Sequence, residues 1–355
     1  MTDAPWLQDA CSLVDAYRDG SRNPVEDTRA CLDAIEASDL NAFSHVDADA
    51  ALAAAKAADV SLPFGGVPMG IKELEKVEGW PDTEASLVFR DRIADHDSTM
   101  VARLREAGAV IVGLCAASEF GGLNVSTTRL NGTTHNPWEH GRTAGGSSGG
   151  SASAVAGGLV PIASGGGGGG GGSIRIPAGF NGNVGMKGTA GRIPRGPRTE
   201  IAPLTVVKGC QARSVRDVAR WYDVCAGYDF RDPYSLPSPG GWEAGLGTHD
   251  LAGLRVAVVP DLGRAVLRPE VEANVRDAAA ALIADAGLVQ VDVDVALPGL
   301  GFEWAMSNLA QLAKDLDGLW PACKDDLTRE MAMGFEMAHA SYDLTMAAQV
   351  ERRRT

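Results

Sequence analysis

The centre of the chain reads Gly145-Gly146-Ser147-Ser148-Gly149-Gly150-Ser151, and further on it contains Gly165–Gly172 followed by Ser173-Ile174-Arg175-Ile176-Pro177. No Asp or Glu occurs between Gly141 and Thr199. A tract this rich in glycine would ordinarily be a linker, but here glycine alternates with apolar runs such as Ala152–Val160. The pattern therefore indicates close backbone packing around a site.

These glycines allow more than one chemical interpretation. Residues 145–151 fit Gly-x-Ser-x-Gly on both Ser147 and Ser148, which is the pattern of a nucleophile elbow, but loop residues precede them where an elbow needs a strand. The eight glycines before Ser173 offer backbone N–H groups that could bind a phosphate or the oxyanion of an acyl-transfer intermediate. Nucleotide binding is the weaker of these interpretations. A phosphate loop would end in Gly-Lys-Ser/Thr, and a dinucleotide site needs a helix that Pro177 disfavours.

Around this centre, the apolar periodicity predicts an α/β protein. The first 60 residues are predicted to be helical, with a cap at Asn23-Pro24. The predicted helices include Val25–Ala37, Asp47–Ala58, a helix ending at Glu106, Ser214–Ala226, Pro269–Ala286 and the last 30 residues. The predicted strands are Val67–Ile71, Ala109–Cys115, Leu254–Pro260 and Leu288–Val295.

Composition excludes several classes of protein. The chain has 355 residues, 45% hydrophobic and 22% charged, which is typical of a soluble globular protein. Its net charge of −14 disfavours binding to nucleic acid or to an anionic membrane. No apolar run is long enough to span a bilayer, and the acidic N-terminus does not look like a signal peptide. The six cysteines and six histidines lack metal-ligand spacing, so we expect a reduced, cytoplasmic protein without a metal or other cofactor.

Taken together, several segments resemble the amidase signature family of serine hydrolases. The similarity extends over about residues 5 to 300 in the family's order, and its central part is highly specific. The segments that carry it are Gly66-Val67-Pro68-Met69-Gly70-Ile71-Lys72, Asn136-Pro137-Trp138, Gly145–Ser151, Gly172–Ala178 and Phe180-Asn181-Gly182-Asn183-Val184-Gly185-Met186-Lys187.

The resemblance implies a three-layer α/β/α fold with a central mixed β-sheet flanked by helices. It would form a single amidase signature domain over 1–355, with N-terminal helices in 1–60, the catalytic core in 61–210 and a peripheral α/β part in 211–355. Family members are usually longer, and the chain stops at Glu351–Thr355 without a capping glycine. We therefore expect the fold to be incomplete at its C-terminal end.

The resemblance also implies a Ser–Ser–Lys triad in place of Ser–His–Asp. Lys72 would be the base, Ser147 the bridging serine, typically held by a cis peptide bond, and Ser173 the nucleophile. A lysine can accept a proton only when burial lowers its pKa from about 10.4. The remaining predicted site residues are Gly170, Gly171 and Gly172 for the oxyanion hole, and Asn124, Ser126, Thr127 and Ser148 for substrate binding.

Two departures from the family bear on function. Gly165–Gly172 lacks the acidic residue that the family usually has there and is longer than expected, which raises the entropy cost of ordering the loop. Glutaminase subunits of tRNA-dependent amidotransferases usually carry glutamine and cysteine where this chain has Ile176 and Asn181. The sequence therefore favours a stand-alone amidase for a small-molecule, non-peptide carboxamide, and a homodimer is compatible with the family. The alternatives are such a glutaminase subunit, which needs a partner, and a truncated, non-catalytic homologue.

Overall fold

A computed structural model describes residues 8–166, 172–198, 206–295 and 297–354. Within these ranges the strands are β1 (Phe43–Val46), β2 (Pro68–Lys72), β3 (Val110–Cys115), β4 (Thr127–Thr128), β5 (Gly132–Thr133), β6 (Ile162–Gly166), β7 (Lys208–Ala212), β8 (Arg255–Val256) and β9 (Val289–Gln290). The helices are α1 (Ala10–Arg18), α2 (Pro24–Glu36), α3 (Ala48–Lys56), α4 (Thr99–Glu106), α5 (Gly149–Ala156), α6 (Gly172–Asn181), α7 (Val215–Cys225), α8 (Pro269–Ala286), α9 (Gly301–Asp315), α10 (Arg329–Ser341) and α11 (Leu344–Arg354).

The central sheet has the strand order β1-β3-β2-β6-β7. Its three inner strands are parallel, and the two edge strands β1 and β7 pair antiparallel to their neighbours. Because β2 and β3 are buried on both faces, their sequences are nearly continuous apolar runs. The sheet is therefore mixed, as the family resemblance implied.

Alternate side chains of the sheet enter two separate cores. Met69 and Ile71 pack with residues of α1, α4 and α7 on one face. Val110 and Val112 pack with residues of α3 and α5 on the other. Successive side chains of a strand point to opposite faces, so the apolar residues of these strands pack against helices on both sides of the sheet. The predicted three-layer architecture is therefore confirmed.

Local signals correctly predicted most helix positions. Asn23 caps α2 by accepting hydrogen bonds from the N–H groups of Val25 at 2.8 Å and Glu26 at 3.4 Å. Helix α8 has the predicted bounds and ends at Gly287, whose φ is +63°. In the part of the chain that the structure describes, no helix has both the length and the apolar character to cross a membrane.

Three expectations about strands were wrong. Strand β1 interrupts the first 60 residues, which were expected to be only helical. The strands predicted at Leu254–Pro260 and Leu288–Val295 shrink to β8 and β9, two residues each, which pair with each other outside the central sheet. These short strands are half-buried or exposed, so no second buried face extends their pairing.

Candidate active site

Lys72 ends the buried strand β2 and is itself only 1% exposed. Its backbone N–H donates a hydrogen bond to Ser164 Oγ at 2.7 Å, which joins the end of β2 to β6. Burial disfavours the charged ammonium and lowers the pKa of Lys72 to about 7. A large fraction of this amine is therefore neutral near pH 7, the state in which it can accept a proton.

A continuous chain of hydrogen bonds joins the three predicted triad residues. Lys72 Nζ lies 2.6 Å from Ser147 Oγ, and Ser147 Oγ lies 2.7 Å from Ser173 Oγ. Lys72 Nζ also donates to the carbonyl oxygen of Gly166 at 2.5 Å, which fixes the amine from a second side. Both hydroxyl groups are buried, and each can rotate to donate or accept. The geometry therefore allows protons to move along this chain in either direction.

Close backbone packing holds the Ser147 loop in place. The Gly146–Ser147 peptide bond is cis. A Cβ added at Gly146 would lie 2.6 Å from Val125 N, and one added at Gly150 would lie 2.4 Å from Ala116 O. Neither position has room for a side chain, which explains why the sequence places glycine on both sides of the serine pair.

Helix α6 carries Ser173 in its first turn. Its buried residues Ile174, Pro177, Ala178 and Asn181 recur at helical spacing and face α5, β6 and β7. The expectation that Pro177 opposes a helix here was wrong. The helix continues through Pro177, although proline cannot supply the N–H that would bond Ser173 O. The helix is held by packing of this face and by the bonds from Asn181 Nδ2 to the carbonyls of Ala144 and Pro177 at 2.8 Å.

Of the three glycines predicted to form the oxyanion hole, Gly170 and Gly171 lie outside the described residues. Gly172 is the first residue of α6. The N–H groups in the first turn of a helix have no acceptor within the helix, and the helix dipole favours negative charge there. Ser173 therefore lies beside N–H groups that suit an oxyanion developing on a substrate carbonyl oxygen.

The residues predicted to bind substrate fall into two groups. Asn124 and Thr127 are exposed. Ser126 is buried, and its hydroxyl accepts from Gly149 N at 3.0 Å and donates to the carbonyl oxygen of Gly145 at 3.1 Å. Ser148 is also buried and accepts from the N–H of Gly166 at 3.2 Å. The two buried hydroxyls thus hold the loop around the triad, and contact of any of the four residues with substrate stays a prediction.

A set of buried charges near Lys72 was missed by the sequence analysis. Glu73 is 2% exposed and accepts from Ala117 N at 2.6 Å, and burial raises its pKa to about 7. Glu75 forms an ion pair with Lys208, which lies on β7. Two acidic residues directly after a buried apolar strand could have signalled charges inside the protein, but nothing in the sequence indicated Lys208 as a partner.

Comparison with known proteins identifies the family. The family model described as Amidase matches residues 26–354, so the chain belongs to the amidase family. Among curated relatives, a glutamyl-tRNA(Gln) amidotransferase subunit from Synechococcus sp. (strain RCC307) is 38% identical over 288 residues, covering 79% of this chain and 59% of the relative. The same subunit from Acidothermus cellulolyticus is 37% identical over 321 residues, covering 87% of this chain and 61% of the relative. The chain therefore spans about three fifths of the length of these relatives.

Solved structures of a hydrolase and of two amidases share the fold. A 6-aminohexanoate cyclic dimer hydrolase has a TM-score of 0.88 and 29% identity, covering 99% of this chain and 76% of that one. A bacterial aryl acylamidase of the amidase signature family has a TM-score of 0.88 and 25% identity, with coverages of 97% and 74%. The peptide amidase of Stenotrophomonas maltophilia has a TM-score of 0.82 and 26% identity, with coverages of 98% and 78%.

Proposed function

We propose that this protein is an amidase that hydrolyses a small, non-peptide carboxamide through an acyl-enzyme on Ser173. It would act in the cytoplasm without a cofactor. The observation that carries the proposal is the hydrogen-bonded chain from Ser173 Oγ through Ser147 Oγ to the buried amine of Lys72. A serine hydroxyl is a weak nucleophile by itself and needs such a base within hydrogen-bond reach.

The proton path follows from this chain. The neutral Lys72 amine takes the proton of Ser147 while Ser147 takes that of Ser173, and Ser173 Oγ attacks the amide carbonyl carbon. Negative charge then develops on the carbonyl oxygen, where backbone N–H groups before and within the first turn of α6 would stabilise it. When the C–N bond breaks, the proton returns through Ser147 to the leaving amine. Water, deprotonated along the same path, then attacks the acyl-enzyme and releases the acid.

The proposal is tested with a panel of amide and ester substrates and a fluorophosphonate probe. We expect Ser173→Ala to abolish hydrolysis and to remove labelling of the folded protein. Ser61→Ala changes an exposed serine and serves as the control, with labelling unchanged. If folded wild-type protein reacts with neither substrate nor probe, the non-catalytic alternative replaces this proposal.

The second candidate is a glutaminase subunit of a tRNA-dependent amidotransferase, and the identity of 38% to a glutamyl-tRNA(Gln) amidotransferase subunit favours it. Ile176 and Asn181 argue against it because they stand where glutaminase subunits usually have glutamine and cysteine. Ammonia release from glutamine, measured with the chain by itself and in the presence of the other amidotransferase subunits, separates the two. Glutaminase activity that appears only with the partner would establish the second candidate, and carboxamide hydrolysis by the chain alone would establish the first.

A further inference from the structure

A small charged cavity of about 60 Å³ lies beside the proposed base. This space can hold a few water molecules or one carboxylate group. The Glu, Lys and Arg residues that line it are Glu75, Lys76, Glu84, Arg195, Arg198 and Lys208. Four of these six side chains are cationic, although the whole protein carries a net charge of −14.

Part of the cavity wall is continuous with the strands that hold the amine of Lys72. The N–H of Glu75 donates to the carbonyl oxygen of Lys72 at 2.8 Å. Lys208 pairs in register with Gly166 across β6 and β7, and Gly166 O accepts the hydrogen bond from Lys72 Nζ. The cavity wall is therefore bonded directly to the backbone that holds Lys72.

Three of the four cations already have an anionic partner. Lys76 Nζ lies 2.5 Å from Asp82 Oδ2, Lys208 pairs with Glu75, and Arg198 pairs with Asp95. Arg195 is 6% exposed, and its buried Nη1 has no hydrogen-bond partner among the described residues. Glu84, the other acid of the cavity, already lies 3.6 Å from Arg92.

The backbone around Arg195 is held firmly. Its N–H donates to Asp232 Oδ2 at 2.8 Å, and the carbonyl oxygen of the next residue, Gly196, accepts from Thr99 N at 2.9 Å. A buried cation is costly unless an opposite charge or hydrogen-bond acceptors compensate it. Its planar set of donors matches the two oxygens of a carboxylate.

We propose that this cavity binds one carboxylate group of a small molecule, with the Arg195 guanidinium as its charged partner. The carboxylate belongs either to the amide substrate or to a free small acid. Only the first of these two sources rests on the amidase function proposed above.

Binding is measured first in a protein that cannot turn over. Acetate and succinate are titrated by calorimetry into Ser173→Ala and into the same protein with Arg195→Met added. We expect Arg195→Met to weaken binding by about tenfold or more, the usual effect of losing a hydrogen bond to a charged group. Arg276→Met is the matched control, because Arg276 lies outside the cavity, its side chain is 53% exposed and it pairs with Glu272, so we expect little change.

Two outcomes would overturn the proposal: Ser173→Ala protein that binds neither acid, or binding that Arg195→Met leaves unchanged. If Arg195→Met does not fold, Arg195→Lys takes its place. It keeps the charge but loses the planar donors, and we expect weakened binding from it as well.

A second experiment identifies the source of the carboxylate. The kcat/KM values for butanamide and for succinamate, which carries a carboxylate, are compared in wild type and Arg195→Met. A preference for succinamate that Arg195→Met removes assigns the cavity to substrate. Equal kcat/KM values, together with succinate binding that depends on Arg195, assign it to a free acid. If no amide is hydrolysed, the amidase proposal fails while the calorimetric test of the cavity still stands.

Discussion

Among single residues, Lys72 is the one whose protonation state matters most for the proposed chemistry. Its burial lowers its pKa to about 7, and only the neutral amine can take a proton from Ser147. We therefore expect kcat/KM to fall about tenfold per pH unit below pH 7 and to level off above it. A pH–rate profile with a neutral amide checks this. Lys72→Met, which keeps the length but not the amine, should cost at least about a hundredfold in rate. A profile that stays flat down to about pH 5 would contradict a lysine base.

The ion pair of Glu75 and Lys208 should shift that profile in opposite directions when each partner is removed. The negative charge of Glu75 raises the pKa of Lys72, and the positive charge of Lys208 lowers it. Glu75→Gln should therefore move the acid limb of the profile to lower pH, and Lys208→Met should move it to higher pH, each by on the order of one pH unit.

The two variants serve as each other's control, because both break the same ion pair. General damage to the fold would reduce kcat/KM in both without opposite displacements of the limb. Two shifts of the same sign would therefore rule out this electrostatic account of Lys72.

Among the secondary-structure elements, α5 follows the Ser147 loop and packs closely against the end of β3. This contact can be tested at Gly150 in α5. A Cβ at Gly150 would lie 2.4 Å from Ala116 O and 2.5 Å from Ala42 O, and backbone atoms cannot easily move away. We expect Gly150→Ala to lower the free energy of unfolding by about 1–3 kcal/mol in urea titrations. Gly179→Ala in α6 is the control, since a Cβ there meets nothing within 4 Å and should raise stability by up to about 1 kcal/mol. Equal effects of the two substitutions would contradict the packing argument.

Helix α10 is tied to the loop after β3 by one buried carboxylate. Glu119 is fully buried and accepts from Thr328 N at 2.8 Å, from Thr328 Oγ1 at 2.6 Å and from Ser86 Oγ at 2.7 Å. Glu119→Ala leaves these three donors without their acceptor, and we expect it to cost about 2–5 kcal/mol of unfolding free energy. Glu336→Ala, which removes an exposed partner of Lys324, should change stability by less than about 0.5 kcal/mol. A loss below about 1 kcal/mol for Glu119→Ala would show that α10 does not depend on this contact.

A structural feature could be predicted from the sequence when the residues that cause it lie close together in the chain. Caps and apolar periodicity lie within one helix, so α2 and α8 were predicted correctly. Strand β1 has four residues with alternating burial, too short a signal beside the alanine-rich α3. The spacing of Lys72, Ser147 and Ser173 acquired meaning only through the family resemblance. The partner of Glu75 lies 133 residues away and became visible only in the folded chain.

In the whole molecule, buried contacts are distributed unevenly. Strands β2, β3 and β6 are buried along their entire length, whereas α8 has no buried residue, and its Val271, Val275 and Leu282 are each at least 44% exposed. Segments with few buried apolar contacts open at lower free energy than the core. We therefore expect the amides of α8 to exchange with deuterium at least about a hundredfold faster than those of β3, measured by mass spectrometry of native protein.

Dilution provides the control for this exchange experiment. The exposed apolar side chains of α8 could also be protected by contact between copies of the chain, and such protection would weaken at lower protein concentration. Fast exchange that does not depend on concentration would show that α8 is stabilised separately from the central sheet. Exchange as slow as that of β3 at every concentration would contradict the expectation, because α8 would then open only together with the core.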